Sequence, residues 1–340
     1  MKKLIFGFGL ALISMFVHAQ NGLENIVVEK YYISNGADLA GSATHGTLPV
    51  GSVTYRIYVD MLPGYKFQMA YGNMNHNLIM TTSTTFYNNT DGYSSNLPTY
   101  SRTNAAKNTM MVDSWLSAGG CSSTDFGVMK SEDNGVNNIV NINGILANTA
   151  ALMGIPLTTQ DGYMAGVPSS TTIIGMDGTV PADNGAGNVF GDGTANGSSF
   201  ILTGSAWSSL AGAQGPTATN RVLIAQITTD GIFHYALNIQ IGTPTGGTEV
   251  YVASNPLTPN GNGINEISIP SLTGTLNVAP TVSITSPANN TNLITGNSIA
   301  INATAADADG TVTQVQFFVD GVSIGTDNLT PFTVNYTGVT

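Results

Sequence analysis

The chain has 340 residues, a formal net charge of −11 and only 9% charged residues, against about 25% in an average soluble protein. Nine lysine and arginine residues over this length cannot build the basic face that binds nucleic-acid phosphates, so nucleic acid is excluded as a partner. A hydrophobic content of 42% is sufficient for a buried core and excludes disorder driven by charge.

Residues 1–19 predict a signal peptide. Lys2 and Lys3 form a short basic region, residues 4–17 are largely apolar, and Ala19 is the small residue before the cleavage site. The apolar stretch is too short to span a bilayer comfortably, and no later apolar run of about 18 residues follows. We therefore expect a protein that is secreted, or exposed on the outer cell surface, with no membrane span after the signal is removed.

Residues 20–255 predict one large domain built from strands. In residues 53–60 mainly apolar side chains alternate with mainly polar ones, which is typical of a half-buried strand. The side chains expected to face inward are Val53, Tyr55, Ile57 and Val59, and those expected to face outward are Thr54, Arg56, Tyr58 and Asp60. After a Pro-Gly turn, residues 65–71 are interpreted as the returning strand of a hairpin. Residues 221–228 and 232–241 form a second predicted hairpin, around Asp230-Gly231. The fold class is all-β, and short turns between antiparallel strands favour a large β-sandwich.

Residues 256–279 are rich in proline and glycine and are interpreted as a linker. A short strand-like piece at 266–269 could still close the first domain, which would place the linker near residues 277–280. Beyond it, further strands are predicted at 281–285, 298–304, 313–320 and 332–337. Their expected inward residues are Val282, Ile284, Ile299, Ile301, Val315, Phe317 and Val319.

Three segments of residues 280–340 resemble bacterial Ig-like domains of secreted multidomain proteins. They are PTVSITSPAN at 280–289, ATAADADGTV at 303–312 and VQFFVDGVSIGTD at 315–327. The resemblance implies a sandwich of about seven strands. Two of these strands would be expected after residue 340, so we expect the sequence to be a fragment of a longer exported polypeptide. Residues 53–60 and 222–231 are similar to uncharacterised leading modules of Gram-negative surface proteins, and this similarity implies a location rather than a chemistry.

Acidic residues suggest two candidate sites. Asp307 and Asp309 stand in an Asp-Ala-Asp-Gly turn between predicted strands, and calcium prefers such oxygen ligands; the alternative is a pair of solvated turn aspartates, because a full calcium loop has more ligands. Calcium is the only cofactor that the sequence suggests. Glu132 and Asp133 are adjacent carboxylates that glycoside hydrolysis could use, but their surroundings favour an Asx turn.

Aromatic residues suggest a glycan site. Tyr93, within the polar segment 88–95, is the ring most expected to be exposed and free to stack on a sugar. Trp115 and Trp207 lie in strand-like segments and are predicted to be core residues. The single cysteine, Cys121, cannot form an intrachain disulfide and is predicted to be a small buried hydrophobe.

These observations favour a secreted or cell-surface modular β-sandwich protein without catalysis in this stretch. It would act as an adhesive, structural or spacer module, with an extracellular glycan or surface protein as its partner. The alternative is an accessory part, able to bind glycans, of an extracellular polysaccharide hydrolase whose catalytic domain lies beyond residue 340.

Overall fold

A computed structural model describes residues 21–38, 46, 48–90, 100–141, 146–147, 157, 159–175, 189–190, 197–276, 280–307, 312 and 314–338. The predicted signal peptide lies outside these residues. None of the helices in the described part of the chain is long and apolar enough to cross a membrane.

Strands make up most of the regular structure of the described residues, which confirms the all-β fold class. In chain order they are β1 (Leu23–Ile33), β2 (Val53–Met61), β3 (Lys66–Tyr71), β4 (Leu78–Thr82), β5 (Trp115–Leu116), β6 (Asp125–Gly127), β7 (Tyr163–Ala165), β8 (Thr172–Ile174), β9 (Ser199–Leu202), β10 (Ala206–Ala213), β11 (Arg221–Thr229), β12 (Phe233–Ala236), β13 (Ile239–Gly242), β14 (Thr248–Tyr251), β15 (Glu266–Ile267), β16 (Thr273–Leu276), β17 (Thr281–Ser286), β18 (Ile299–Ala306), β19 (Val315–Val319), β20 (Val322–Asp327) and β21 (Phe332–Tyr336). The short helix α1 (Arg102–Ala105) and the 3₁₀ turns Met110–Val112 and Pro270–Leu272 lie between these strands.

Residues 21–276 form two layers. The first layer is sheet I, in the order β1-β2-β11-β5. The second layer comprises sheet II, in the order β15-β14-β13-β3-β10-β8, and sheet III, in the order β16-β12-β4-β9. The same three stretches of chain run through both parts of this layer, because β3 continues into β4, β9 into β10 and β12 into β13. Apart from the parallel pair β14 and β15, the strand pairs of these three sheets are antiparallel.

The apolar stripes that the sequence predicts meet between the two layers. The inward residues of β2 and of the segment 233–241 all belong to one buried cluster; they are Val53, Tyr55, Ile57, Val59, Phe233, Tyr235, Leu237, Ile239 and Ile241. Trp207 joins the layers directly, since its indole N–H donates to the carbonyl oxygens of Ser117 at 3.1 Å and Ile224 at 3.0 Å. This packing is that of a β-sandwich.

The second face of sheet I is also buried, which corrects the predicted half-buried strand. All nine residues of β2 are buried, including Arg56 and Tyr58 at 0% exposure. Residues from the long segment between β4 and β8 cover this face and form a second buried cluster with Tyr31 and Tyr58. The alternation in residues 53–60 therefore separates an apolar buried face from a polar buried face.

Neither predicted hairpin forms. β2 lies in sheet I and β3 in sheet II, while β11 lies in sheet I and β12 in sheet III. At both turns the chain crosses from one layer to the other, so consecutive strands pack face to face instead of sharing a ladder. In each case apolar residues of both strands meet in the core, where β3 contributes Phe67 and Ala70.

Residues 256–276 contribute two strands, where the sequence suggested one. β15 pairs with β14, and β16 pairs with β12. The 3₁₀ turn before β16 contacts β1, since the Ser271 hydroxyl accepts the Ile26 N–H at 3.0 Å. Much of the proposed linker is thus hydrogen bonded to the sheets of residues 21–251, and the domain boundaries themselves stay a prediction.

Residues 280–338 form two smaller sheets, β17-β18-β21 and β19-β20. Their core contains Ala303, Val315, Phe317 and Phe332. Val282 and Ile284 of β17 were expected to face inward, but their side chains are 64% and 62% exposed. The prediction is wrong for these two residues because the second sheet packs against β21 through β20, whereas β17 has extensive contacts with β18 alone and contributes no residue to the buried core.

Candidate functional sites

The predicted ligand-binding residues fall largely outside the described part of the chain. Tyr93 and Asp309 both lie outside it, and Asp307 follows the end of β18 at partial exposure. No group of three or more His, Cys, Asp and Glu residues within the described ranges could hold a metal ion. Glycan stacking at Tyr93 and calcium binding at Asp307 and Asp309 stay predictions.

The adjacent carboxylates Glu132 and Asp133 form a turn, as the alternative interpretation predicted. One Asp133 oxygen accepts the Gly135 N–H at 2.9 Å, which is the Asx-turn bond, and the other accepts the Gly162 N–H at 2.9 Å. Glu132 accepts from Arg221 Nη1 at 2.8 Å. Both side chains therefore hold the backbone and neighbouring strands together rather than facing each other across a cleft.

The core predictions for the tryptophans and the cysteine are confirmed. Trp115, Trp207 and Cys121 are all buried, at 1%, 0% and 0% exposure. Burial is the main cause that raises the pKa of the Cys121 thiol well above its ordinary value, with the Asp125 and Asp161 carboxylates adding to it. The thiol is thus held in its unreactive protonated form.

A buried cation lies on the polar face of sheet I. The Arg56 guanidinium stacks on the Tyr31 ring, 3.7 Å from its centroid, and lies 5.1 Å from the Tyr163 centroid. Its Nε donates to Gln226 Oε1 at 2.9 Å and its Nη1 to the Gly162 carbonyl oxygen at 3.0 Å. We call these five residues the arginine cluster.

The arginine cluster is closed on every side that the structure describes. Gln226 is fixed in turn by bonds to the carbonyls of Met111 at 3.0 Å and Asp113 at 2.7 Å. A Cβ at Gly162, whose φ is +71°, would lie 2.5 Å from Nη1 of Arg56, so glycine is required there. Neither of the two clefts of about 190 and 210 Å³ is lined by the cluster, and its hydrogen bonds join sheet I to the segment that covers it.

Ionisable groups near the arginine cluster have shifted pKa values. Burial raises the pKa of Asp161 to about 7, although the N–H groups of Ile139 and Tyr163 bind its carboxyl oxygens and act in the opposite direction. Burial also raises the pKa of Glu29 and lowers that of Lys130 to about 8. Sequence patterns missed this cluster, because Arg56 has the spacing of a residue that faces solvent.

A cleft of about 210 Å³ lies on the face of sheet II that is turned away from the core. Its floor is a row of cross-strand neighbours, Met69, Gln240, Val250 and Glu266, from β3, β13, β14 and β15. Its walls are Tyr71, Asn73, Asn260, Asn262 and Ile264. We call it the sheet II cleft.

Glu266 holds the wall of the sheet II cleft in place. Its Oε2 lies 2.8 Å from His76 Nε2 and accepts the Leu257 N–H at 2.8 Å, while Oε1 accepts from Asn260 Nδ2 at 3.3 Å. The side chain of Asn260 also accepts the N–H groups of Asn262 and Ile264. The segment 257–264 is thereby fixed beside the sheet. The sequence pattern did not reveal the contact between His76 and Glu266, since these residues are 190 positions apart.

Comparisons with known proteins cover only part of the chain. A search of curated proteins gave no match. A solved structure described as the fibronectin(III)-like modules of Clostridium thermocellum CbhA is 28% identical over 36% of this chain and 55% of that chain, with a TM-score of 0.18. This chain therefore spans about half the length of that one, and at such a TM-score the match supports no statement about the fold.

A family model gives the firmer result. The model described as a bacterial Ig domain matches residues 280–340, the same residues that carry the resemblance in the sequence. The two small sheets of β17 to β21 lie in this region and surround a common core. Residues 280–340 of this chain are a bacterial Ig domain.

Proposed function

We propose that the chain is a secreted or cell-surface module that acts as a structural, spacer or adhesive unit and performs no catalysis. The observation that carries this proposal is the bacterial Ig domain at residues 280–340. Such domains are common in extracellular proteins and are generally non-catalytic. The predicted signal peptide at residues 1–19 supports the same location.

The contacts and burial of the candidate catalytic side chains support a structural role for residues 21–276. Asp133 bonds two backbone N–H groups, and Cys121 is completely buried. Several ionisable groups with shifted pKa values, among them Asp161, Glu29 and Lys130, lie around the arginine cluster, which is enclosed. Their shifts come mainly from burial within a packed interior, and no reacting group or bound ligand is needed to account for them.

Export is tested by expressing the full chain in a Gram-negative host. We expect to recover it, shortened by residues 1–19, from the medium or from the outer surface, where added proteinase digests it on intact cells. A variant without residues 2–19 is the control and should stay in the cytosol. Recovery of the uncleaved full chain from the cytosol would contradict the proposal.

A second candidate function is glycan binding, as an accessory module of an extracellular polysaccharide hydrolase. The observation that favours it is the sheet II cleft, which combines a tyrosine ring with side-chain amides and a carboxylate. Affinity electrophoresis through gels that contain neutral polysaccharides tests it. Retarded migration of the chain is expected, and unchanged mobility in every gel would remove this function.

A further inference from the structure

We propose that the sheet II cleft binds a single neutral, hydroxyl-rich ring of a carbohydrate. The inference deepens the second candidate function and rests on it, because it assigns a site and a ligand class to glycan binding. Three features of the cleft carry the inference: its size, its unused hydrogen-bonding groups and its charge.

The size of the cleft suits one sugar ring. Its volume is about 210 Å³, below the roughly 300–1,000 Å³ of clefts that hold drug-sized ligands. The floor is the rigid outer face of four paired strands, and the wall 257–264 is fixed through Glu266. A ligand therefore meets a largely preformed site, which lowers the entropic cost of binding.

Several polar groups of the cleft have hydrogen-bonding capacity that the described residues leave unused. The Tyr71 hydroxyl and the Asn262 side-chain amide have no hydrogen-bond partner within the described part of the chain. Gln240 uses its Nε2 on Gln68 Oε1 at 2.9 Å, and its own Oε1 has no partner among the described residues. Burial and the nearby Glu266 carboxylate raise the pKa of Tyr71, so its hydroxyl keeps its proton and can donate.

These groups select against other ligand classes. An apolar ligand would desolvate them without replacing their bonds to water, at a cost of roughly 1–3 kcal/mol each. An anion would meet the Glu266 carboxylate without any lysine or arginine in the lining. A metal ion is disfavoured because Glu266 is the sole carboxylate of the lining and three donors already occupy it. A neutral ring with several hydroxyl groups can satisfy donors and acceptors together.

Saturation-transfer NMR on the purified chain tests the site. The probes are glucose, galactose, mannose, xylose and N-acetylglucosamine, with glucuronate and galacturonate as anionic counterparts. Two variants remove single polar groups, Tyr71→Phe and Asn262→Ala. Their matched controls lie outside the cleft: Tyr65→Phe removes another tyrosine hydroxyl, and Asn265→Ala changes an exposed asparagine that directly follows the wall residue Ile264.

We expect saturation transfer to at least one neutral sugar and none to the acidic sugars. Loss of one hydrogen bond should weaken that binding roughly three- to tenfold in Tyr71→Phe and Asn262→Ala, while both control variants bind like the original chain. Circular dichroism melting curves show whether each variant is folded.

Three results would overturn the inference in distinguishable ways. If neutral sugars or polysaccharide gels bind the chain and both cleft variants bind equally well, the site is wrong and glycan binding itself survives. If no neutral sugar and no polysaccharide binds, the site and the second candidate function both fail. Acidic sugars that bind as tightly as neutral ones would overturn the ligand class.

Discussion

Arg56 shows how a single residue acts differently from its sequence pattern. Its spacing predicted exposure, but the side chain is completely buried, stacked on Tyr31 and bonded to Gln226 and Gly162. A buried charge without such partners would be strongly destabilising. The planar guanidinium can stack and donate in fixed directions at the same time, which the lysine ammonium cannot do.

We therefore predict that Arg56→Lys lowers the free energy of unfolding by roughly 2–4 kcal/mol. The matched control is Arg221→Lys, because Arg221 is partly exposed and pairs with Asp60 and Glu132. We expect the control to cost about 1 kcal/mol or less. Urea unfolding followed by circular dichroism measures both, and equal losses would contradict the special role of Arg56.

Buried ionisable groups give the stability a defined pH dependence. Burial raises the pKa of Asp161 from 3.8 to about 7, and it also raises the pKa values of Glu29 and Asp113. Between about pH 4 and 7 the unfolded chain loses protons that the folded chain retains, so stability falls as the pH rises. Lys130 acts in the opposite sense above about pH 8, since its pKa is lowered from 10.5 and the folded chain loses its proton first.

We predict that the urea midpoint falls from about pH 4.5 to 7, and that above about pH 8 the effect of Lys130 is opposed by the raised pKa values of Cys121 and of buried tyrosines such as Tyr31. Asp161→Asn should reduce the fall, and Lys130→Met should make the midpoint above about pH 8 drop more steeply with pH than it does in the original chain. Glu24→Gln, at an exposed position, is the control and should leave the profile unchanged. A midpoint that is highest near pH 7 would contradict the prediction.

At the scale of elements, the two tryptophans distinguish packing from hydrogen bonding. Both are buried, but Trp207 donates across the sandwich to Ser117 and Ile224, while the indole N–H of Trp115 has no hydrogen-bond partner among the described residues. Replacement by phenylalanine removes similar volume from each site. Only at Trp207 does it also break a link between the two layers.

We predict that Trp207→Phe lowers the free energy of unfolding by roughly 1–3 kcal/mol more than Trp115→Phe does. Circular dichroism is the appropriate signal, because both variants alter the tryptophan fluorescence. If Trp115→Phe is the more damaging variant, the hydrogen bonds of Trp207 are not the important link between the layers.

The strands of the Ig domain differ in how much they bury. Val282 on the edge strand β17 is 64% exposed, whereas Val315 on β19 is 8% exposed and belongs to the core. The same substitution, Val→Thr, keeps the shape of the side chain and adds one hydroxyl group. The cost should therefore follow burial alone.

We predict that Val315→Thr lowers the protection of the β18 to β21 amides by roughly 1–2 kcal/mol in hydrogen exchange of the full chain. Val282→Thr should change it by about 0.5 kcal/mol or less. Equal effects of the two substitutions would show that β17 is covered in solution.

At the scale of the whole molecule, few exposed ion pairs contribute to stability. In the ion pairs that the described residues form, the acidic side chains are largely buried, with no more than 12% of their surface exposed. Salt screens exposed charges much more than buried ones. The interior packing between the layers of sheets therefore dominates the stability of this sparsely charged chain.

We predict that raising sodium chloride from dilute to molar concentration moves the melting midpoint of the full chain by only a few degrees. Differential scanning calorimetry measures it. A large fall in the midpoint at high salt would mean that screened ion pairs carry more of the stability than this structure assigns to them.

Much of the fold was predictable from local pattern. The inward residues of β2 and of 233–241, the core positions of the two tryptophans, the Asx turn at Asp133 and the Ig domain all follow from spacing or motif within short segments. Each of these features depends on which face of a segment is apolar or on a turn of a few residues. Such information is contained in neighbouring positions of the chain.

The pairing of strands and the sites were decided only in the tertiary structure. Both expected hairpins are crossings between layers, the polar face of β2 is covered by a distant segment, and the sheet II cleft joins Tyr71 to Asn262 and Glu266. The physical reason is that alternation reveals that a face is buried but not what buries it. Its partner lies far away along the chain, and the identity of that partner depends on how all the apolar faces are satisfied together.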